Sequence, residues 1–127
     1  MTMPGDSTAG GPTSTGLPAN VAGALAYVLG PITGILFYVL EKDNRFVRFH
    51  AAQSIAVSLV LIAISIVLGI LGAVLAFIPI VGWLVAMLLS FGLSIVSLVL
   101  WLFLMWQAFQ GIEWEAPFAG VLARRML

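Results

Sequence analysis

Cysteine is absent from the 127 residues, there is a single histidine, His50, and charged residues make up only 8% of the chain. Each shortage removes a class of chemistry. Without cysteine there are no disulfides, thiol nucleophiles or thiolate metal sites. One histidine, with the carboxylates confined to a few polar stretches, gives no set of ligands at metal-site spacing. No nucleophile stands beside a base in a recognisable motif, and no glycine-rich loop is placed to cradle a phosphate. The five Lys and Arg balance the five Asp and Glu, so no basic surface is available for nucleic acid. The reading therefore assigns no catalytic, cofactor-binding or metal-ligating residue and expects no enzyme activity, no cofactor and no nucleic-acid partner.

What is present is apolar. Hydrophobic residues account for 62% of the chain and the mean hydropathy is +1.18. A soluble domain of this size carries about 25% charged residues and could not hide so much apolar surface. Lipid is the expected solvent, and the length suits one small bundle. Residues 1–19, rich in Gly, Pro, Ser and Thr and free of Lys and Arg, read as a disordered tail rather than a signal peptide. Residues 20–127 read as one helical transmembrane domain. Its apolar runs predict three spans, about 21–40, 53–77 and 83–107, each near the ~20 residues that cross a bilayer. A short interfacial helix is expected to follow Pro117. The fold class is all-α, polytopic. Small residues recur on one face of each span: Ala22, Ala26, Gly30 and Gly34 in the first, Ser54, Ser58, Ser65, Gly69, Gly72 and Ala76 in the second, Ala86, Ser90, Ser94 and Ser97 in the third. Such seams let helices approach closely in lipid. Pro31 is expected to kink the first span.

All the Lys and Arg, namely Lys42, Arg45, Arg48, Arg124 and Arg125, fall in the first hairpin and the C-terminal segment. With three spans these lie on one side, which the positive-inside rule makes cytoplasmic. The expected topology is multi-pass in the cell membrane, N-terminus outside and C-terminus inside. Arg45, Arg48, Trp83, Trp106, Arg124 and Arg125 are the expected interfacial anchors. On a helix beginning near Arg45, the arginines face one way, and His50 and Gln53 face the other with Phe46 and Phe49. Buried polar groups require partners, and the end of the third span offers Gln107, Gln110 and Glu113. The sequence thus suggests a cytoplasmic-face cluster of Glu41, His50, Gln53, Gln107 and Gln110. It reads as a device that ties helices together, with a proton-responsive or substrate-binding site as the alternative.

Several of these residues also form a pattern. Leu25-Ala26-Tyr27, Gly30, Gly34, Glu41, Asn44, Arg48-Phe49-His50-Ala51-Ala52-Gln53-Ser54, Trp106, Gln110-Gly111 and Pro117 resemble an uncharacterised family of small prokaryotic integral membrane proteins. That family is grouped distantly with the chloroplast inner-envelope import component of the Tic complex. The resemblance covers about residues 20–125. It implies a compact domain of three or four membrane helices and no catalytic residues. The expected function is a scaffold or subunit of a membrane complex, acting through helix contacts. The alternative is an oligomeric transporter, channel or translocon-like component. The expected partners are the lipid bilayer and either further copies of the chain or other membrane proteins.

Overall fold

A computed structural model describes residues 11–127. Among these residues the secondary structure is wholly helical: α1 (Ala19–Val28), α2 (Pro31–Leu40), α3 (Arg45–Leu75), α4 (Val81–Phe109) and α5 (Ala119–Arg125).

The expected span over 21–40 is two helices, not one. The chain breaks at Gly30, whose φ of 60° is open to glycine, and restarts with Pro31 at the first position of α2. Proline suits that position because its missing N–H has no intrahelical acceptor there and its φ is already helical. Thr33 consolidates the break. Its hydroxyl donates to the Ala26 carbonyl (3.0 Å) and accepts from the Leu29 N–H (3.1 Å). The outcome is a fold-back rather than a kink. Near the start of α1, Asn20 donates to the Phe109 carbonyl (3.1 Å), whereas Tyr27 near its end lies level with Trp101. On the return, α2 passes Ser54 at Gly34 and reaches Arg48 at Tyr38. Ten residues make a helix of about 15 Å, half the ~30 Å hydrocarbon thickness. Neither α1 nor α2 can cross a bilayer.

Two helices are long and apolar enough to do so, α3 with 31 residues and α4 with 29. At 1.5 Å per residue they are about 46 and 44 Å long, as long as a bilayer including its headgroup regions. The Asn44 side chain caps α3 by accepting from the Val47 N–H (3.1 Å), which fixes where the helix starts. The helix expected to begin near Arg45 and the span expected from about 53 are one continuous helix. A tight turn at 76–80 joins α3 to α4. It needs Gly82, since a Cβ there would overlap the Leu75 carbonyl, and the Trp83 indole closes it by donating to the Ala76 carbonyl (3.1 Å).

Burial is concentrated at one end. Ala22, Gly23, Ala26 and Tyr27 of α1 are enclosed between α3 and α4, while Phe46, Val47, Phe49, His50, Ala51, Ala52 and Gln53 of α3 are fully covered by α1, α2 and α5. Beyond Ser58 and before Val96 the α3–α4 hairpin stands alone, with Ile66, Ile70, Val74, Leu84, Leu88 and Phe91 exposed.

The fold-back also changes the topology. Residues 11–18 carry no helix or strand, yet Ser14 is hydrogen-bonded to Glu41, and Asn44 donates to the Pro12 carbonyl (3.1 Å). At that same end Tyr38 donates its hydroxyl hydrogen to the Met126 carbonyl. The expectation of N- and C-terminal segments on opposite sides rested on a first span that traverses. With that segment folded back, the described N-terminal residues, the 41–44 loop and the C-terminal segment share one end. The rest of the expected disordered tail, 1–10, lies outside the described residues.

Candidate functional site

Only part of the expected cluster assembles. His50 and Gln53, one helical turn apart on α3, are fully buried and aimed at α1. Their partner there is Tyr27. Its hydroxyl lies 2.6 Å from His50 Nδ1 and accepts from Gln53 Nε2 at 2.9 Å. Gln53 reaches further, donating from Nε2 to the Trp114 carbonyl (2.8 Å) and accepting at Oε1 from the Ala116 N–H (2.9 Å). His50 Nε2 is 2.9 Å from the Ile112 carbonyl.

The donor and acceptor inventory fixes the protons. A carbonyl can only accept, so His50 carries its hydrogen on Nε2. Nδ1 is then the acceptor and Tyr27 donates to it, while the tyrosine oxygen remains open to Gln53. The neutral imidazole satisfies every member. A second proton on Nδ1 would meet the tyrosine oxygen and strand the phenol hydrogen. Phe46, Phe49 and Tyr27 surround the imidazole edge-on, with ring centroids 4.7, 5.1 and 5.4 Å away, so the histidine is walled off from water as well.

What the network does is mechanical. The 110–118 segment has no regular structure to pair its backbone, and buried backbone groups left unpaired are costly. Gln53 and His50 supply partners for Ile112, Trp114 and Ala116 from α3. Arg124 closes the segment from the other side. Its Nη1 is 2.6 Å from Glu113 Oε1, its Nε is 3.6 Å from Glu115 Oε1, and its guanidinium lies 4.1 Å over the Phe49 ring. Helix α1, α3, the loop and α5 thus form one locked headpiece.

Glu41 belongs to a separate cluster. Its fully buried carboxylate accepts from the Ser14 N–H (2.8 Å to Oε2), the Ser14 hydroxyl (2.8 Å), the Asn44 N–H (3.1 Å) and the Asp43 N–H (3.3 Å). Burial by itself would raise the carboxyl pKa, but the Ser14 N–H and hydroxyl and the Asn44 and Asp43 N–H groups together hold it below the ordinary glutamate value.

Gln107 and Gln110 stay out of both clusters. Gln107 is half-buried and Gln110 is exposed at the end of α4, and backbone groups of 112–116 take the places expected of them. Among the expected anchors, Arg48 and Arg124 turn inward. Arg48 donates to the Tyr38 (3.0 Å) and Glu41 (2.8 Å) carbonyls and stacks on the Tyr38 ring (4.5 Å), where it caps the C-terminal end of α2. Arg45 and Arg125 are exposed, and Trp83 and Trp106 are 56% and 60% exposed, as interfacial side chains would be. The sequence reading missed Tyr27, and it offered Glu113 as a partner for the α3 polar pair whereas Glu113 pairs with Arg124. The signal for Tyr27 was available: His50 and Gln53 on one face need a hydroxyl-type partner, and Tyr27 and Tyr38 are the only tyrosines. Among the described residues no group of His, Asp and Glu is arranged to hold a metal ion.

A short folded-back helical pair packed against a long apolar hairpin, locked at one end by buried polar groups, defines a helical membrane domain. The chain belongs to the magnetosome magnetite crystal formation protein family, whose model matches residues 14–123. It is 43% identical over 115 residues to a UPF0132 membrane protein of Methanocaldococcus jannaschii, covering 91% of this chain and 94% of the relative. It is 39% identical over 109 residues to a UPF0132 membrane protein of Archaeoglobus fulgidus, covering 85% and 94%. A second Methanocaldococcus jannaschii protein of that name is 36% identical over 110 residues, covering 87% and 71%. No solved structure matches the chain. The relatives establish a membrane protein.

Proposed function

We propose that the chain is a non-enzymatic scaffold or subunit of a membrane complex. The observation that carries this reading is the division of the molecule. The buried polar groups of the headpiece are hydrogen-bonded to one another and to the backbone, with none among the described residues left unpartnered, whereas the far half of the α3–α4 hairpin has no neighbour within the chain. A rigid, chemically inert end and a bare apolar end suit a part that works by being bound. Gly69, Gly72 and Gly92 support it. A Cβ at any of them would meet nothing within 4 Å, so their smallness serves no packing inside the chain.

In this reading the headpiece faces the cytoplasm, because Lys42, Arg45 and the C-terminal arginines all lie at that end. Crosslinking in native membranes with single cysteines at positions 69, 72 and 92 tests the proposal. A reproducible heteromeric adduct is expected at one or more of them. Adducts only at headpiece positions would sink it.

The second reading is an oligomeric transporter or channel. It is favoured by an open cleft of about 300 Å³ between α3 and α4, lined by Ser65, Gly69, Gly72, Ser90 and Ser94. Solute flux through liposomes holding the purified chain would support it over the first.

A further inference from the structure

The α1–α2 pair turns back at Gly30, part-way up the groove between α3 and α4. Directly against the turn lies a cavity of about 310 Å³, bounded by Gly30, Ser54, Ser58, Leu61, Ser97 and Trp101 among others. This is the space that a longer first helix would have entered. On α3 its walls lie 9 to 16 residues from Arg45, about 14–24 Å along the axis, which is hydrocarbon depth.

The polar groups around it narrow the choice of occupant. Ser54 donates to the Gly30 carbonyl (2.8 Å), Ser58 to the Ser54 carbonyl (2.8 Å) and the Trp101 indole to the Tyr27 carbonyl (2.6 Å). These donors are engaged inside the chain, the Ser97 hydroxyl is the remaining side-chain donor of the wall and alone too little to replace a polar solute's hydration, and no charged residue borders the cavity. A polar solute would lose its hydration and gain little in return. A hydrocarbon chain would restore the dispersion contacts that an unfilled wall lacks. We infer that this cavity is a binding site for one acyl chain of a membrane lipid, entering sideways from the bilayer and ending against the Gly30 turn. The inference does not depend on the scaffold reading, since the site lies on the chain whether or not a partner binds the hairpin.

The test uses tryptophan fluorescence in phosphatidylcholine vesicles brominated mid-chain. Two variants hold a single tryptophan each, one keeping Trp101 and the other carrying Val99→Trp, with all remaining native tryptophans changed to phenylalanine. Trp101 is half-buried, whereas Val99, two residues away and so at nearly the same depth, is 60% exposed. A bound chain should quench Trp101 at least as strongly as the tryptophan at position 99, despite its cover of protein. Quenching of Trp101 to less than half that extent would overturn the proposal. Adding Ser97→Phe to fill the cavity should cut Trp101 quenching by at least half and leave quenching at position 99 unchanged; equal Trp101 quenching with and without the phenylalanine would also overturn it. Should that variant fail to fold, the comparison of the two positions with the cavity unfilled still decides. A Ser97→Cys chain that crosslinks to itself, together with weak Trp101 quenching, would assign the cavity to a second copy instead.

Discussion

Gln53 is the residue on which the headpiece most depends. Its amide makes three hydrogen bonds to Tyr27, Trp114 and Ala116, whereas His50, which also bridges α1 and the 110–118 segment, makes one to each. Gln53→Leu keeps the volume but strands a buried backbone N–H and carbonyl, each worth about 1–3 kcal/mol when left unpaired. The expected loss is about 2–4 kcal/mol, read as a lower midpoint in denaturant titration of the detergent-solubilised protein. Tyr27→Phe removes one hydroxyl and should cost about half as much, because His50 Nδ1 loses its donor and Gln53 keeps two partners. An equal effect for the two would show that the network is not centred on Gln53. Glu41 makes a separate prediction. Its carboxyl pKa is depressed in the folded chain, so the hold on residues 11–16 is fully present above the unfolded glutamate range. It is lost only as pH falls through the lower folded value. The protection of the Ser14 N–H against hydrogen exchange, taken relative to its intrinsic rate at each pH, should therefore stay high from neutral pH to pH ~5 and fall only at more acid pH. Glu41→Gln should lose that protection already at neutral pH.

At the scale of the element, the turn at Gly30 decides the architecture. Gly34 shows how tightly the return helix is seated. A Cβ there would lie 3.0 Å from the Ser54 side chain and 3.2 Å from the Ala51 carbonyl oxygen. Gly34→Val should push α2 off α3 and expose 31–40 to proteolysis in detergent, with a stability loss of about 1–3 kcal/mol. Protection equal to the parent chain would show that α2 is not packed there. The residues of this turn were read correctly as a disruption and wrongly as to its size. A proline within twenty apolar residues is consistent with a kinked span, and nothing local says that the chain reverses. The reversal depends on Gly30 adopting φ of 60° and on Thr33 capping Ala26, which are visible only once the two short helices are packed. The same limit explains Gln107 and Gln110. Placing them at the correct depth was possible from spacing, but the 112–116 backbone fills the site first, and a backbone group leaves no mark in composition. The apolar runs of α3 and α4, by contrast, were legible because length and hydropathy alone specify them. His50 and Gln53 were legible because a polar pair on an otherwise apolar helical face must meet something.

For the whole molecule, the membrane arrangement follows from which ends are adjacent. Ser14 touches Glu41, Tyr38 touches Met126, and the 76–80 turn lies at the other extremity of a hairpin about 45 Å long. The absence of native cysteine makes this directly testable. An impermeant thiol reagent should reach cysteines at positions 16, 43 and 125 from one face of sealed vesicles, and a cysteine at position 78 from the other. Opposite reactivity of positions 16 and 43 would restore a traversing first segment. Salt should have little effect on stability, because the charged groups that hold the headpiece, Glu41 and the Arg124–Glu113 pair, are buried or partly buried and so weakly screened, and the rest of the network is uncharged.

The uncharged 76–80 turn, which needed only Gly82 and Trp83 to close, has a consequence for how the protein reaches its membrane. With the described ends on one side, the only part of α3, α4 and their junction that must be carried through the bilayer is Ala, Phe, Ile, Pro and Ile. No ionised group has to make that passage, and it is ionised groups that make it costly. With the headpiece on the cytoplasmic side, as proposed above, the hairpin would enter as a unit during synthesis and leave the headpiece to assemble afterwards on the side where the ribosome stands.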